Sequence, residues 1–245
     1  MVVLLTDFGE SEYVGVMKGV IYGIAHDAKI VDLSHSIHPQ DIIEASWTLK
    51  NNYKYFPEGA IFCCVVDPGV GTKRKAIAVR TERYYFVGPD NGLLWETVKE
   101  QKIIDIRQIP IPKNASRTFH GRDVFAVAAG DIEAGKFKTT GEKIKEIQKL
   151  KFYRTAREGI VARIDRFGNI VTNLPKQEKD KYSVAIGEKE YQMRYYPNYE
   201  TAKEGELFLI EGSSKTLEIS VKNGSANEKL HLRAGERIRI SNSEC

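Results

Sequence analysis

The chain has 245 residues, 42% hydrophobic and 29% charged, with a formal net charge of +4 at pH 7. This composition excludes a disordered, collagen-like or disulfide-scaffold protein, and the length allows one large domain or two moderate ones with real cores. The small charge carries no basic block and no apolar run reaches the roughly 18–20 residues that span a bilayer, so the expectation is no nucleic acid and no membrane.

Met1 to Thr6 reaches Asp7 without a basic residue, which predicts no signal peptide. Val2 to Leu5 reads as a short strand. From Ser11 to Ala25 the apolar positions Val14, Met17, Val20, Ile21 and Ile24 recur at helical spacing. Lys29 to Leu33 is a second strand, and Pro39 opens a helical stretch through Ile42, Ile43, Ala45, Trp47 and Leu49. Ala60 to Val66 is apolar throughout, as a central buried strand is, and stops at Asp67-Pro68-Gly69-Val70-Gly71. Within it Cys63 and Cys64 should face opposite sides of the sheet. With Cys245 they form neither a disulfide framework nor a CxxC pair, which suits a reducing, cytoplasmic location.

Lys75 to Arg80 and Arg83 to Val87 read as a hairpin. Gly88-Pro89-Asp90-Asn91-Gly92 turns into a helix at Leu93 to Glu100, and Ile103 to Ile106 is a strand. His120-Gly121 precedes a helix from about Arg122 to Ala134, with Gly135 as its stop. This alternation predicts an α/β sheet with helices on both faces. After a Lys/Glu-rich connector at Gly141 to Lys151 the pattern changes to short strands and Gly turns, as in a small β-barrel or sandwich. The strands expected are Ile160 to Asp165, Asn169 to Leu174, Tyr182 to Ile186, Tyr191 to Tyr195, Leu207 to Glu211, Leu217 to Val221 and Arg237 to Ile240. The boundary falls between about 150 and 158, giving domains 1–155 and 156–245.

Ligands of open α/β sheets bind at the carboxyl ends of strands. Thr6-Asp7, Asp67 and Asp90-Asn91 stand there, each also an ordinary turn former or cap when taken alone. Asp67 leaves a wholly apolar strand, with Gly69 and Gly71 permitting close approach and Arg74 near enough to keep it ionised. Gly69-Val70-Gly71 is not a dinucleotide fingerprint: the third glycine is missing and a strand follows where a helix is required. His120, before a helix N-terminus, should hold a neutral ring able to accept a proton. His35 and His38 lack further ligands at metal spacing and read as structural. Asp165-Arg166-Phe167-Gly168-Asn169 reads as a hairpin turn, and its Asn169 amide can donate to and accept from a planar heterocycle.

Five ordered motifs carry a resemblance: Thr6-Asp7-Phe8-Gly9; Asp67-Pro68-Gly69-Val70-Gly71 with Arg74; Gly88-Pro89-Asp90-Asn91-Gly92; Thr118-Phe119-His120-Gly121-Arg122-Asp123; and Phe167-Gly168-Asn169. The chain resembles the S-adenosyl-L-methionine (SAM) hydrolases that form adenosine, or SAM hydroxide adenosyltransferases, relatives of the SAM-dependent fluorinase and chlorinase. The resemblance implies an N-terminal Rossmann-like α/β/α sandwich and a small C-terminal β-barrel. It also implies a homotrimer whose sites lie at subunit interfaces. Asp67, Arg74 and His120 match the set that holds and activates water, and Asp7 the acid that grips the ribose hydroxyls. Asp165 matches an acid near the methionine end and Asn169 an adenine-binding asparagine. Ser213 and Ser214, with Val221 and Asn223, match further substrate contacts.

The departures discriminate. Halogenases of this superfamily carry Tyr at the position of Asp67 and a serine or small group at that of Gly121, and fluorinase has Trp at that of Gln40. A carboxylate repels a halide but accepts a proton from water, so hydroxide is favoured. Methionine leaves a sulfonium as a neutral molecule, so no general acid is needed. The water must be in line with C5′, held at about 3 Å and partly deprotonated. Either Asp67 or neutral His120 can take the proton, and Arg74 stabilises the developing charge. Neither a metal nor a cofactor is expected, SAM being the substrate. Three alternatives compete. A metal-dependent phosphoesterase would use Asp7, Asp67, Asp90 and His120 and would lose activity to a chelator. A nucleic-acid module would show salt-dependent binding to oligonucleotides. A SAM or adenosine sensor would bind without turnover.

Overall fold

The computed structural model describes residues 1–242, so Cys245 lies outside the described residues. The chain divides into two compact units after Lys151.

In the first unit the strands are β1 (Val2–Thr6), β2 (Ile30–Ser34), β3 (Ile61–Val65), β4 (Ala76–Thr81), β5 (Tyr85–Pro89), β6 (Ile103–Ile109) and β7 (Glu142–Lys143). They form one mixed sheet in the order β2-β1-β3-β5-β4-β6-β7. The first four in that order run parallel, and β4, β6 and β7 are antiparallel to their neighbours. Helices α1 (Glu12–Ile24) and α4 (Val127–Glu133) cover one face, and α2 (Ile42–Asn52) with the short α3 (Trp95–Val98) the other.

Every residue of β1 and β3 is buried, because a central parallel strand is covered on both faces. Val2, Leu4, Ile61 and Cys63 pack with Met17, Ile21, Phe125 and Ala129; Val3, Leu5, Phe62 and Cys64 pack with Leu49, Leu94 and Val98. Cys63 and Cys64 therefore do face opposite sides. Burying each such Leu, Ile or Phe contributes roughly 1.5–3 kcal/mol, and the polar residues that leave these strands start from this buried centre.

Two predicted helices differ. The one expected over Leu93 to Glu100 is helical only at Trp95–Val98. The Gln101 side chain bridges this end, its Nε2 donating to Thr97 O and its Oε1 accepting Thr81 Oγ1, and the helix stops two residues short of Glu100. The helix expected from Arg122 begins at Gly121 as a π-helical turn, Gly121–Ala126, before α4. Gly135 (φ +81°) does terminate it, its amide bonding Ile132 O at 2.9 Å.

The second unit settles barrel against sandwich. Its strands β8 (Glu158–Ile164), β9 (Ile170–Thr172), β10 (Lys181–Ile186), β11 (Lys189–Tyr195), β12 (Leu207–Glu211), β13 (Leu217–Val221) and β14 (Arg237–Asn242) close in the order β10-β11-β12-β13-β9-β8-β14. Val161, Ile170, Val184, Met193, Leu209, Ile219 and Ile240 fill the interior. A short helix α5 (Ala226–Leu230) follows β13, capped by Ser225 Oγ accepting from Glu228 N at 3.0 Å.

Candidate active site

Because β2, β1, β3 and β5 are parallel neighbours, their carboxyl ends share one edge, bringing together His35, Asp7, Asp67 and Asp90-Asn91. The last pair is structural. Asn91 Nδ2 donates to Val66 O at 2.9 Å, fixing the peptide just before Asp67, and Asp90 Oδ1 accepts Gln148 N at 2.7 Å.

Asp67 leaves β3 into a turn closed by Val70 N to Asp67 O (3.2 Å) and Thr72 N to Gly69 O (3.2 Å). Gly71 has φ +75°, and a Cβ there would lie 2.3 Å from Arg117 O, so only glycine fits. The turn carries Arg74 back onto Asp67. Arg74 Nε lies 2.8 and 2.9 Å from the two carboxylate oxygens, and Nη2 donates to Oδ2 as well. The same Nη2 lies 2.7 Å from His120 Nδ1. The pair is deeply buried, with 9% and 6% of the side chains exposed. Phe125 lies under the guanidinium at 5.1 Å, and buried Nη1 has no hydrogen-bond partner in the protein.

An arginine only donates, so His120 Nδ1 is the acceptor and the ring proton sits on Nε2. Burial, and then the charge of Arg74, hold the His120 pKa below its ordinary value against the opposing pull of Asp67 and Asp123. A neutral imidazole was expected from the helix N-terminus; burial and the arginine are the causes instead. The π-helical turn starts at the next residue, a geometry frequent at functional sites. A Cβ on Gly121 would meet Phe119 at 2.9 Å, Phe8 at 3.2 Å and Met17 Sδ at 3.3 Å. Hence any side chain at position 121 must displace Phe119, Phe8 or Met17.

Asp7 Oδ2 accepts Gln40 N at 2.8 Å. Gln40 reaches it from a turn with φ +66°, pinned by Asp41 N to His38 O (3.0 Å) and by buried Glu44, which accepts His38 N (3.1 Å). Burial pushes the Asp7 carboxyl above the usual carboxylate range; the Gln40 bond opposes this and the charge of Asp67 adds to it. Among the described residues no three His, Cys, Asp or Glu side chains come together as a metal-holding group.

In the barrel unit Asp165 closes its own turn, with Oδ1 accepting Phe167 N and Asn169 N and Oδ2 accepting Asn169 Nδ2, all at 2.9 Å. Its carboxylate thereby fixes the buried Asn169 amide through one of the two N–H groups on Nδ2. Gly168 lies against Ser225, and Asn227 N donates to Gly168 O at 2.9 Å, which brings Val221 and Asn223 beside this loop. Ser213 and Ser214 sit in the turn before the other end of β13, a strand about 13 Å long. Sequence reading missed Glu218, folded directly over Gly212. Burial raises its pKa, with Asp165 adding and Arg163 opposing. Its place in the alternation Leu217-Glu218-Ile219 reads as an exposed strand position, so the pattern hid it.

An α/β sheet carrying a buried Asp–Arg–His cluster at its strand edge, joined to a closed barrel with a fixed asparagine, defines a two-domain enzyme class. Residues 2–141 match the SAM hydroxide adenosyltransferase N-terminal domain and residues 159–239 the SAM hydroxide adenosyltransferase C-terminal domain, so the chain belongs to that family. It is 36% identical over 256 residues to the (R)-S-adenosyl-L-methionine hydrolase of Thermus thermophilus, covering 98% of both chains. The hydrolase of the same name from Methanocaldococcus jannaschii is 36% identical over 258 residues, 98% of this chain and 95% of that one. Fluorinases are more distant relatives. The fold matches the crystal structure of an uncharacterized conserved protein from Thermotoga maritima at TM-score 0.89 and 36% identity, over 98% of this chain and all of that one.

Proposed function

We propose that the protein hydrolyses S-adenosyl-L-methionine to adenosine and L-methionine by in-line attack of water at C5′. The observation that carries this reading is the Arg74 bridge between Asp67 and His120, in a chain of this family whose relatives are SAM hydrolases. The new bond is O–C5′, the broken bond is C5′–S, and the sulfonium pair leaves with neutral methionine. The water's proton goes to Asp67. His120 Nδ1 is occupied by Arg74, so the imidazole acts as an Nε2–H donor and not as the base. Arg74 keeps the carboxylate oriented, and its positive charge stabilises hydroxide-like charge.

Asp7 holds the ribose hydroxyls and Asn169 the adenine, with Asp165 acting through Asn169. Val221 and Asn223 serve the same end of the barrel, whereas Ser213 and Ser214 contact a different part of the substrate. No metal or cofactor takes part. The α/β unit of one subunit works with the barrel of its neighbour in a homotrimer, a reading supported by the family resemblance. A cytoplasmic location is supported by two free, buried cysteines; no helix among the described residues is long and apolar enough to cross a membrane.

Turnover of Asp67→Asn tests the proton acceptor. A general-base loss of about a hundredfold to ten-thousandfold in kcat with little change in KM is expected; near-native kcat contradicts the assignment.

A further inference from the structure

Asp7 and the residues beside it are fastened at three points, and two of these involve His35, which the hydrolytic mechanism does not use. Thr6 Oγ1 lies 2.9 Å from His35 Nδ1 and accepts Phe8 N at 3.2 Å. The His35 carbonyl accepts Gly9 N at 2.8 Å. The third fastening is Gln40 N on the carboxylate itself.

On its far side His35 Nε2 stands 3.0 Å from Asp32 Oδ1, close enough to pair electrostatically though not aligned as a hydrogen bond. Asp32 is held in turn by Lys18 Nζ at 2.6 Å. Burial works to raise the Asp32 carboxyl, but Lys18 and His35 outweigh it and hold it below the usual range. A carboxylate beside Nε2 keeps the ring proton there and leaves the lone pair on Nδ1. The Thr6 hydroxyl then has one consistent role: its proton goes to Nδ1 and its oxygen accepts the Phe8 amide. Donors and acceptors match from His35 through Thr6 to Phe8, and Asp32 joins them through the charge beside Nε2.

The line has the order of a Ser-His-Asp relay, but Thr6 is completely buried and a nucleophile needs access. What the hydroxyl does touch is the Phe8 amide, the backbone immediately after Asp7. We infer that Thr6 and His35 are positioning residues, and that the Asp32–His35–Thr6 line holds the Asp7 carboxylate in the orientation that recognises a ribose cis-diol. This rests on the reading that Asp7 binds the ribose.

The test compares KM and kcat for SAM and for its 2′-deoxy analogue in Thr6→Val, Thr6→Ser, His35→Ala, His35→Asn and Asp7→Ala. Thr6→Val and His35→Ala should raise KM for SAM by about fivefold, the worth of one hydrogen bond, with a smaller change in kcat. They should also shrink the preference for ribose over deoxyribose. Serine at 6 and asparagine at 35, which keep a hydroxyl and an acceptor near Nδ1, should restore both. If Asp7→Ala keeps the full ribose preference, the underlying reading of Asp7 fails. If Asp7→Ala loses it while Thr6→Val and His35→Ala keep it, the positioning role is overturned. Equal losses of thermal stability and activity in all four Thr6 and His35 variants, with ribose preference intact, overturn it likewise.

Discussion

Arg74→Ala is the perturbation whose cost can be worked most directly from the structure. It removes the donors on both oxygens of a carboxylate that is only 6% exposed, together with the donor on His120 Nδ1. Bonds to a charged partner are worth about 1.5–3 kcal/mol each but do not add, and breaking one side of a buried ion pair typically costs about 3–5 kcal/mol. In a domain of this size each kcal/mol moves Tm by about 2–4 °C, so the first unit should melt roughly 6–20 °C lower. Removing both partners leaves no orphaned charge. A double-mutant cycle of Arg74→Ala with Asp67→Ala, followed by calorimetry, should therefore show a coupling above about 1 kcal/mol and a double variant less damaged than the two single losses combined. A Tm within about 2 °C of wild type for Arg74→Ala, with coupling near zero, would refute the claim that the guanidinium sustains a buried carboxylate.

Other consequences follow from the same geometry. His120 carries a lowered pKa when folded, so below the ordinary histidine value of about 6.5 the unfolded chain binds a proton that the native state refuses. Stability should fall as pH drops from that value toward the lower folded one, and His120→Asn should flatten this part of a Tm-against-pH curve. Gly121→Ser must displace Phe119, Phe8 or Met17; it should lower kcat and bring no chloride-dependent product in chromatography, because Asp67 still repels a halide. Burial pushes the Cys63 thiol up to about 12 and Cys64 well above its ordinary value. Alkylation mapped by mass spectrometry should therefore spare both in the native protein and modify both in denaturant. Activity should survive a chelator, and loss rescued by a divalent ion would favour the phosphoesterase reading.

Much of this was legible in the residues because the local signals and the fold agree. Continuous apolar runs at Val2–Leu5 and Ala60–Val66 mark strands covered on both faces, and the polar residues that end them, Asp7 and Asp67, fall at one sheet edge because the strands are parallel. The Gly71 turn returns Arg74 to Asp67, a contact that spacing alone suggests. Other features are written only in three dimensions. The π-helical turn after His120 follows no periodicity that a helix template detects. Asn91 looks like a turn former in sequence, and only the structure shows its amide on Val66 O. His35 reads as structural in sequence, and spacing cannot reveal that Thr6 and Asp32 flank its two nitrogens. Glu218 was hidden because strand alternation places it outward, whereas the adjacent Gly212 turn folds beneath it.

The central claim, that water attacks C5′ and displaces methionine, is tested most directly by incubating the protein with SAM in ¹⁸O-labelled water and analysing the products by mass spectrometry. The account predicts unlabelled methionine and adenosine carrying one heavy oxygen in its 5′-hydroxyl. Label appearing anywhere else, or adenosine formed without label, would contradict it.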